Sequence, residues 1–494
     1  MVNVVNSNNL LQDLQQLRET VIREGEAIYQ SWRSLITRET FDHSAQNLAH
    51  YLALRKQDLR QIQLALMPWG LSSLGKIESR VIPNLDAVTC TLAEICQQSN
   101  LLQSRPSLTD FFAGDQLLQK NTIEVFGTSS QSRQVRIMVT LPREAADNYE
   151  LVKELLIRGT DCLRINCAHD RPEEWQKMIE HINKAKLQTH QNCRLLMDLA
   201  GPKIRLEEVL SPNGEKRIHP DEIILLSKDK PSQPHPNYWQ VSCSLPEILP
   251  KLKIGTRIWI DDGHLGAIIE SIDSQGIWLR VTHTRPKGEK LKADKGINFP
   301  ETIINLNPLT AKDLADLDFV ANHADLIGYS FVQTARDIQL LQKELAKRLG
   351  DQWTSKAIIA KIETQEAIKN LPELIVQAAG KQPFGVMIAR GDLAVEIGYQ
   401  RLAEMQEEIL WLCQAAHVPV IWATQVLETL VKTGIPSRAE ITDAAMGERA
   451  ECVMLNKGSF IIEAVSILDD VLTRMEAHQS KKGSQLRALH SWNN

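Results

Sequence analysis

The chain has 494 residues, 43% of them apolar and 24% charged, which excludes a wholly disordered chain and suggests around three domains at about 150 residues each. A net charge of −5 gives no electrostatic footprint for nucleic acid or an anionic membrane surface. No apolar run approaches the roughly 18–20 residues that span a bilayer, and the opening MVNVVNSNNLLQDLQQLRE lacks the basic and apolar regions of a leader peptide.

The first 130 residues read as a helical extension. Leu10, Leu14, Leu17, Val21, Ile28, Trp32 and Leu35 recur at spacings of three and four, the stripe of an amphipathic helix. Leu48, Leu52, Leu59, Ile62 and Leu66 make a second stripe, stopped by Pro68, and Leu85, Val88, Leu92 and Ile95 make a third. Such stripes are packing faces. The segment is expected to dock on the remainder of the chain.

From residue 135 short apolar runs alternate with helix-like stretches, the pattern of βα units around a parallel sheet. The runs are VRIMVT (135–140), CLRIN (162–166), RLLMD (194–198), DLIGYSF (325–331), AIIAKIE (357–363), GVMIARGD (385–392), VPVIWAT (418–424) and CVMLN (452–456). Eight such units predict a TIM (β/α)8 barrel over 131–205 and 297–478. Residues 206–296 break the rhythm with β-rich, turn-rich sequence (EIILLSKD, TRIWIDDG, GAIIESI, GIWLRVTHT). They predict a small all-β domain inserted after the third strand. Residues 479–494 are predicted to be a polar, solvated tail.

Barrel sites gather where strands end, so the polar residues there carry the chemistry. They are Thr140, Arg164, Asn166, Asp198, Ser330, Lys361, Glu363, Asp392, Thr424 and Asn456. Glu363 and Asp392, on adjacent strands, suit a hard divalent cation such as Mg²⁺. Arg164, Arg205 and Lys361 suit an anionic substrate, and Thr424 offers a hydroxyl.

These residues resemble the pyruvate kinase family. The resemblance covers about 134–476 and is densest at KIE (361–363), ARGDL (389–393), ATQVLET (423–429) and SRAE (437–440). DLAGPKIR (198–205), DDG (261–263), KGINFP (295–300) and SFV (330–332) follow the family's order. It implies transfer of the phosphoryl group of phosphoenolpyruvate to ADP in a cytoplasmic, glycolytic enzyme. By position, Glu363 and Asp392 would hold Mg²⁺ (or Mn²⁺), and the backbone at Arg390, Gly391 and Asp392 would receive the substrate carboxylate. Lys361 would neutralise the phosphoryl group and the enolate, Arg164 would clamp the phosphoryl group, and Thr424 would stand where the enolate is protonated through water. Asp261 and Lys295 would close over the nucleotide, with His169 and Arg205 on its phosphates.

The departures from the pattern are specific. The turn after the first strand is Leu141-Pro142-Arg143-Glu144-Ala145 where the family has Gly-Pro-Ala-Ser. Gln333 follows SFV in place of arginine, and the eighth strand ends Asn456-Lys457-Gly458-Ser459 in place of Ser-Gly-Glu-Thr, after a short deletion near Gly447. The family's monovalent-cation ligands correspond to Asn166, Ala168 and Asp198, and the serine hydroxyl is lost at Ala168. Lys203 replaces the glutamate of the K⁺-dependent pattern, so a tethered ammonium is expected to stand in and K⁺ is not required. The family's C-terminal domain, with its sugar-phosphate site, is expected to be missing.

Other signals are weaker. Gly70–Lys76 fits the first seven positions of a phosphate loop, but Ile77 cannot supply its hydroxyl and no strand precedes it, so a helix turn is expected. The eight cysteines form no CxxC pair and read as reduced, mostly buried thiols of a cytoplasmic protein. Asp313, Asp316 and Asp318 read as a solvated helix face. Two alternatives remain beside the kinase: a Mg²⁺–enolate lyase acting on pyruvate, and a degenerate kinase serving as a scaffold. Neither nucleic acid nor membrane is an expected partner, and a homo-oligomer is left open.

Overall fold

The eight apolar runs form eight strands in the computed structural model, which describes residues 7–98, 104–129, 133–302, 304 and 307–485. They are β1 (Arg136–Thr140), β2 (Cys162–Asn166), β3 (Arg194–Asp198), β4 (Leu326–Tyr329), β5 (Ala357–Ile362), β6 (Phe384–Ala389), β7 (Val420–Ala423) and β8 (Cys452–Leu455). Neighbours pair in parallel all the way round, and β8 closes on β1 with Cys452 opposite Arg136. Both faces of such a sheet are buried, one by the filled interior and one by helices, so its strands read as continuous apolar runs. Crossover helices such as Pro172–Thr189 and Ala335–Leu349 bring every strand to end at the same mouth.

Between β3 and β4 the chain builds a seven-stranded sheet. Its strands are Leu206–Leu210, Ile223–Ser227, Trp239–Cys243, Arg257–Ile260, Leu265–Ile272, Ile277–His283 and Ile297–Asn298. Among them only Ile223–Ser227 and Trp239–Cys243 pair in parallel. The sheet has its own core, with Leu206, Ile224, Val241, Ile258, Leu279 and Phe299 buried together. Its last strand and Phe299 carry the unit past residue 296, where the sequence placed its end.

Helices Ser7–Trp32, Glu39–Leu54, Arg60–Leu66, Val81–Ile95 and Leu108–Phe126 make the extension. The stripe from Leu48 to Leu66 is two helices, not one. The first of them ends at Leu54, and Asp58 Oδ1 accepts from the Arg60 N–H (3.1 Å) just before the second, whose N-cap position is Leu59. Pro68 sits in the short turn Met67–Trp69, and Gly70–Lys76 comes after that turn rather than after a strand. Val125 and Phe126 plug the barrel floor against Met138, Cys162, Leu196, Ile359, Ile421 and Met454. Burying a phenylalanine side chain in this way contributes about 1.5–3 kcal/mol.

Two polar segments differ from expectation. Asp313 is fully buried, because its carboxylate caps its own helix through Thr310 and accepts from the Gly201 N–H (3.2 Å). Asp316 is buried against Lys312, and Asp318 alone of the three is exposed. Residues 479–484, read as solvated tail, pair as a hairpin whose Lys481 bonds to Glu451 and whose Lys482 bonds to Glu78. Residues 486–494 of that tail lie outside the described residues. None of the eight cysteines is in a disulfide, and Cys162 and Cys167 are fully buried. Among the described residues no helix is long and apolar enough to cross a membrane.

Candidate active site

Strand register sets the polar groups at the C-terminal mouth side by side. Asp198 of β3 lies between Asn166 of β2 and Gly328 of β4. A Cβ at Gly328 would come 2.5 Å from Asp198 Oδ1, so the glycine makes room for that carboxylate. Asp198 accepts from Arg164 Nε (2.9 Å) and Nη2, while Arg164 Nη1 donates to Thr140 Oγ1 (3.0 Å). Three of the five guanidinium N–H donors hold the side chain in place, and two remain for a ligand.

Lys361 of β5 completes this cluster. Its Nζ donates to Ser330 Oγ (2.7 Å) and lies 3.1 Å from Glu363 Oε1 and 3.4 Å from Asp198 Oδ2. Glu363 Oε2 accepts from the Phe331 N–H (2.6 Å), which Phe331 presents from a left-handed φ of 55°. Backbone strain of that kind costs about 1–3 kcal/mol and survives only where surrounding structure enforces it. Across the mouth, Lys203 Nζ lies 2.8 Å from Asp392 Oδ1 and 3.2 Å from Asp262 Oδ1 of the inserted sheet. Thr424, also left-handed at φ 64°, accepts the Gly391 N–H on its Oγ1 (2.9 Å), so its own proton is free to be donated.

The fields follow from these contacts. Burial alone would raise the Asp198 carboxyl, yet Lys361 and Arg164 hold it below the usual carboxylate range. Burial lowers the Lys361 ammonium, but Asp198 and Glu363 outweigh it and the net shift is upward. Burial pushes the Glu363 carboxyl up; Lys361 opposes this and the Asp392 charge adds to it. Glu363 and Asp392 thus stand close enough for their like charges to act on one another, each beside one ammonium, and both could ligate a divalent cation. The donor set fits Mg²⁺, which is commonly held by one or two carboxylates with waters and substrate oxygens in its remaining positions. Among the described residues no third metal-ligating side chain joins them.

The remaining expected residues divide. Arg390 turns away from the mouth: its guanidinium bonds to Asp443, to the Ala423 carbonyl (2.8 Å) and to the Thr424 carbonyl (2.5 Å), and stacks on Trp422. Its role is a brace between β6 and β7, leaving only its backbone for a substrate. The Gly391 N–H, expected on a substrate carboxylate, goes to Thr424 instead. In the inserted sheet Lys295 Nζ pairs with Asp261 Oδ1 (2.8 Å), and Arg205 Nη1 donates to the Asp294 carbonyl (2.8 Å). Asn166 Oδ1 accepts from the Ala168 N–H (3.1 Å), closing its own turn. Burial first, and then the charges of Lys457, Arg205 and Arg164 against that of Asp170, lower the His169 pKa.

Sequence reasoning passed over several partners. Asp262 stood unremarked inside a quoted motif, and Ser330 was named only as a strand end, because neither signal tells which neighbour a side chain meets. Asp443 carries no motif signal. Lys457 drew notice only as a departure, yet it adds positive charge beside His169.

Residues 132–465 match the family described as pyruvate kinase, barrel domain. A pyruvate kinase of Methylorubrum extorquens is 31% identical over 358 residues, covering 70% of this chain and 69% of that protein. Pyruvate kinase 2 of Synechocystis is 31% identical over 358 residues, which is 71% of this chain but 58% of its own length. The crystal structure of a pyruvate kinase from Cryptosporidium parvum matches with a TM-score of 0.62 at 26% identity, covering 72% of each chain. With the closed barrel, the inserted sheet and the charged mouth, these likenesses place the chain in the pyruvate kinase family of phosphotransferases.

Proposed function

We propose that this chain transfers the phosphoryl group of phosphoenolpyruvate to ADP, giving pyruvate and ATP in the cytoplasm, with Mg²⁺ and without K⁺. The observation that carries the reading is the buried cluster Arg164–Asp198–Lys361–Glu363, two cations and two carboxylates at one mouth. Asp198 fixes both cations, so neither must reorganise as charge moves from the phosphoryl group to the enolate. The two free Arg164 N–H groups orient the phosphoryl oxygens, and the Lys361 ammonium neutralises the charge that develops between phosphoryl group and enolate. Mg²⁺ (or Mn²⁺), held by Glu363 and Asp392, supplies Lewis-acid polarisation of substrate oxygens when bound.

Thr424 holds the proton side of the reaction. Its hydroxyl is oriented by the Gly391 N–H and relays a proton through water to the enolate carbon, because a free hydroxyl is itself too weak an acid. His169, Arg205, Lys295 and Asp261 surround the nucleotide phosphates. The lid reaches the mouth through Asp262 and Lys203, and exclusion of water by such a lid suits a phosphoryl acceptor better than a lyase.

The test is pyruvate formation from phosphoenolpyruvate and ADP, read by coupled oxidation of NADH. Turnover should require both substrates and Mg²⁺. Lys361→Met should lose about 10²–10³-fold in turnover with unchanged circular dichroism. Near-normal turnover in that variant, or none in the wild type, would sink the reading.

A further inference from the structure

The opposite end of the barrel carries a second charged cleft, of about 530 Å³. It opens where the helical extension docks on the residues leading into β3, β4, β5 and β6. Arg194, Asp325 and Lys356 stand at the starts of the first three strands and Lys381 in the turn before the fourth, while Arg38 and Glu124 form the helical wall. The docking is close. The Thr37 and Arg38 N–H groups both donate to the Gly380 carbonyl, at 2.9 and 2.8 Å. A Cβ at Gly380 would come 2.6 Å from the Val376 carbonyl oxygen and 3.1 Å from that of Leu35.

The charges in this cleft do not balance. Four cationic side chains face two carboxylates. Arg38 pairs with Glu124, and Arg194 pairs with Asp325 (3.3 Å). Lys356 is left with the neutral Ala324 carbonyl (2.8 Å), and the Lys381 ammonium, unlike its backbone N–H, has no hydrogen-bond or ion-pair partner among the described residues. Burial lowers the pKa of both ammoniums, with Asp325 offsetting part of the effect at Lys356. Charges at this end of a barrel ordinarily serve stability by pairing. A half-buried ammonium without a counter-charge does the reverse, because desolvation disfavours its charged form.

We infer that this cleft is a binding site for a small phosphate ester, whose dianionic phosphoryl group is taken by Lys356 and Lys381 beside the guanidinium forks of Arg38 and Arg194. Ammonium and guanidinium donors together match the several oxygens and the double charge of a phosphoryl group. The cleft is larger than that group needs, leaving room for the rest of an ester. A ligand touching Arg38 and Lys381 bridges extension and barrel, so it stabilises their junction by mass action.

Isothermal calorimetry on the full chain tests this with glucose 6-phosphate and with inorganic phosphate as probes. Glucose 6-phosphate should bind the wild type and Lys361→Met alike, since Lys361 lies at the other mouth. Lys381→Gln should weaken it by at least about tenfold, and Lys381→Arg should retain most of the affinity. Weaker binding of inorganic phosphate at the same site, also lost in Lys381→Gln, supports the phosphoryl group as the recognised chemistry. Equal affinity in Lys381→Gln, loss of binding in Lys361→Met, or no binding of either probe by the wild type overturns the inference. Thermal unfolding of Lys381→Gln near the wild-type temperature shows that the fold is intact.

Discussion

On the proposed reading, the Lys203 ammonium stands in for a monovalent cation at this mouth. Ala168 has no hydroxyl to coordinate one, Asn166 Oδ1 is engaged by the Ala168 N–H, and Asp198 is held by Arg164 and Lys361. Burial opposes the Lys203 ammonium, but Asp392 and Asp262 outweigh it and hold its pKa above the ordinary lysine value. The charge is therefore permanent at physiological pH and tethered beside Asp392. Full activity is expected in sodium or Tris buffer. Lys203→Glu would set a third carboxylate against Asp392 and Asp262, and turnover should fall about hundredfold. Added K⁺ should restore only part of it, because Ala168 still lacks a ligand oxygen. Strong K⁺ activation of the wild type in the coupled assay would remove Lys203 from this role. The Lys203 substitution was legible in the sequence because it departs from a motif. The outward turn of Arg390 was not, since its partner Asp443 lies 53 residues away, past the SRAE motif and in no motif itself.

The junction between the helical extension and the barrel rests on a buried histidine. His417 is fully buried; its Nε2 faces the Ser79 carbonyl (3.0 Å) and its Nδ1 faces Ser44 Oγ (2.9 Å). A carbonyl only accepts, so Nε2 carries the proton and Nδ1 accepts from the serine hydroxyl, which makes the neutral ring the bonded form. Burial pushes its pKa down to about 4. An unfolded histidine titrates near 6.5, so between about pH 6.5 and 4 the unfolded chain binds the extra proton. Stability is then complete above about pH 6.5 and falls as pH drops towards 4, by about 3 kcal/mol in all. Chemical denaturation of the wild type should show this loss, and His417→Gln should show a shallower slope over the same range. Parallel curves would assign the acid sensitivity to other groups. Strands and helices were legible where apolar residues repeat, because burial itself writes that pattern. Polar contacts between residues far apart in sequence were not: Gly201 to Asp313, Lys481 to Glu451, Lys482 to Glu78, and both bonds of His417 are of that kind.

At the scale of the whole molecule, the extension, the barrel and that hairpin are tied by one ion pair. Glu78 is 2% exposed; its Oε1 bonds to Lys482, 404 residues away, and its Oε2 has no hydrogen-bond partner among the described residues. Lys482 also lies 4.9 Å over the Trp411 ring of the barrel helix Tyr399–Ala415. Replacing a buried pair with apolar groups is often neutral, whereas removing one partner strands a charge away from water. Lys482→Ala should therefore lower the unfolding free energy by about 2–3 kcal/mol, below the usual range for a fully buried pair because a quarter of the lysine side chain is exposed. Adding Glu78→Gln to Lys482→Ala removes the stranded charge and should return more than half of that loss. The double variant would then be more stable than the single lysine variant, the reverse of additive damage. Hydrogen exchange should locate the effect, with faster exchange in Val81–Ile95 and in the hairpin of Lys482→Ala than in the barrel strands. If the two variants lose the same stability, Glu78 finds another counter-charge and the apolar face of the extension alone holds it on the barrel.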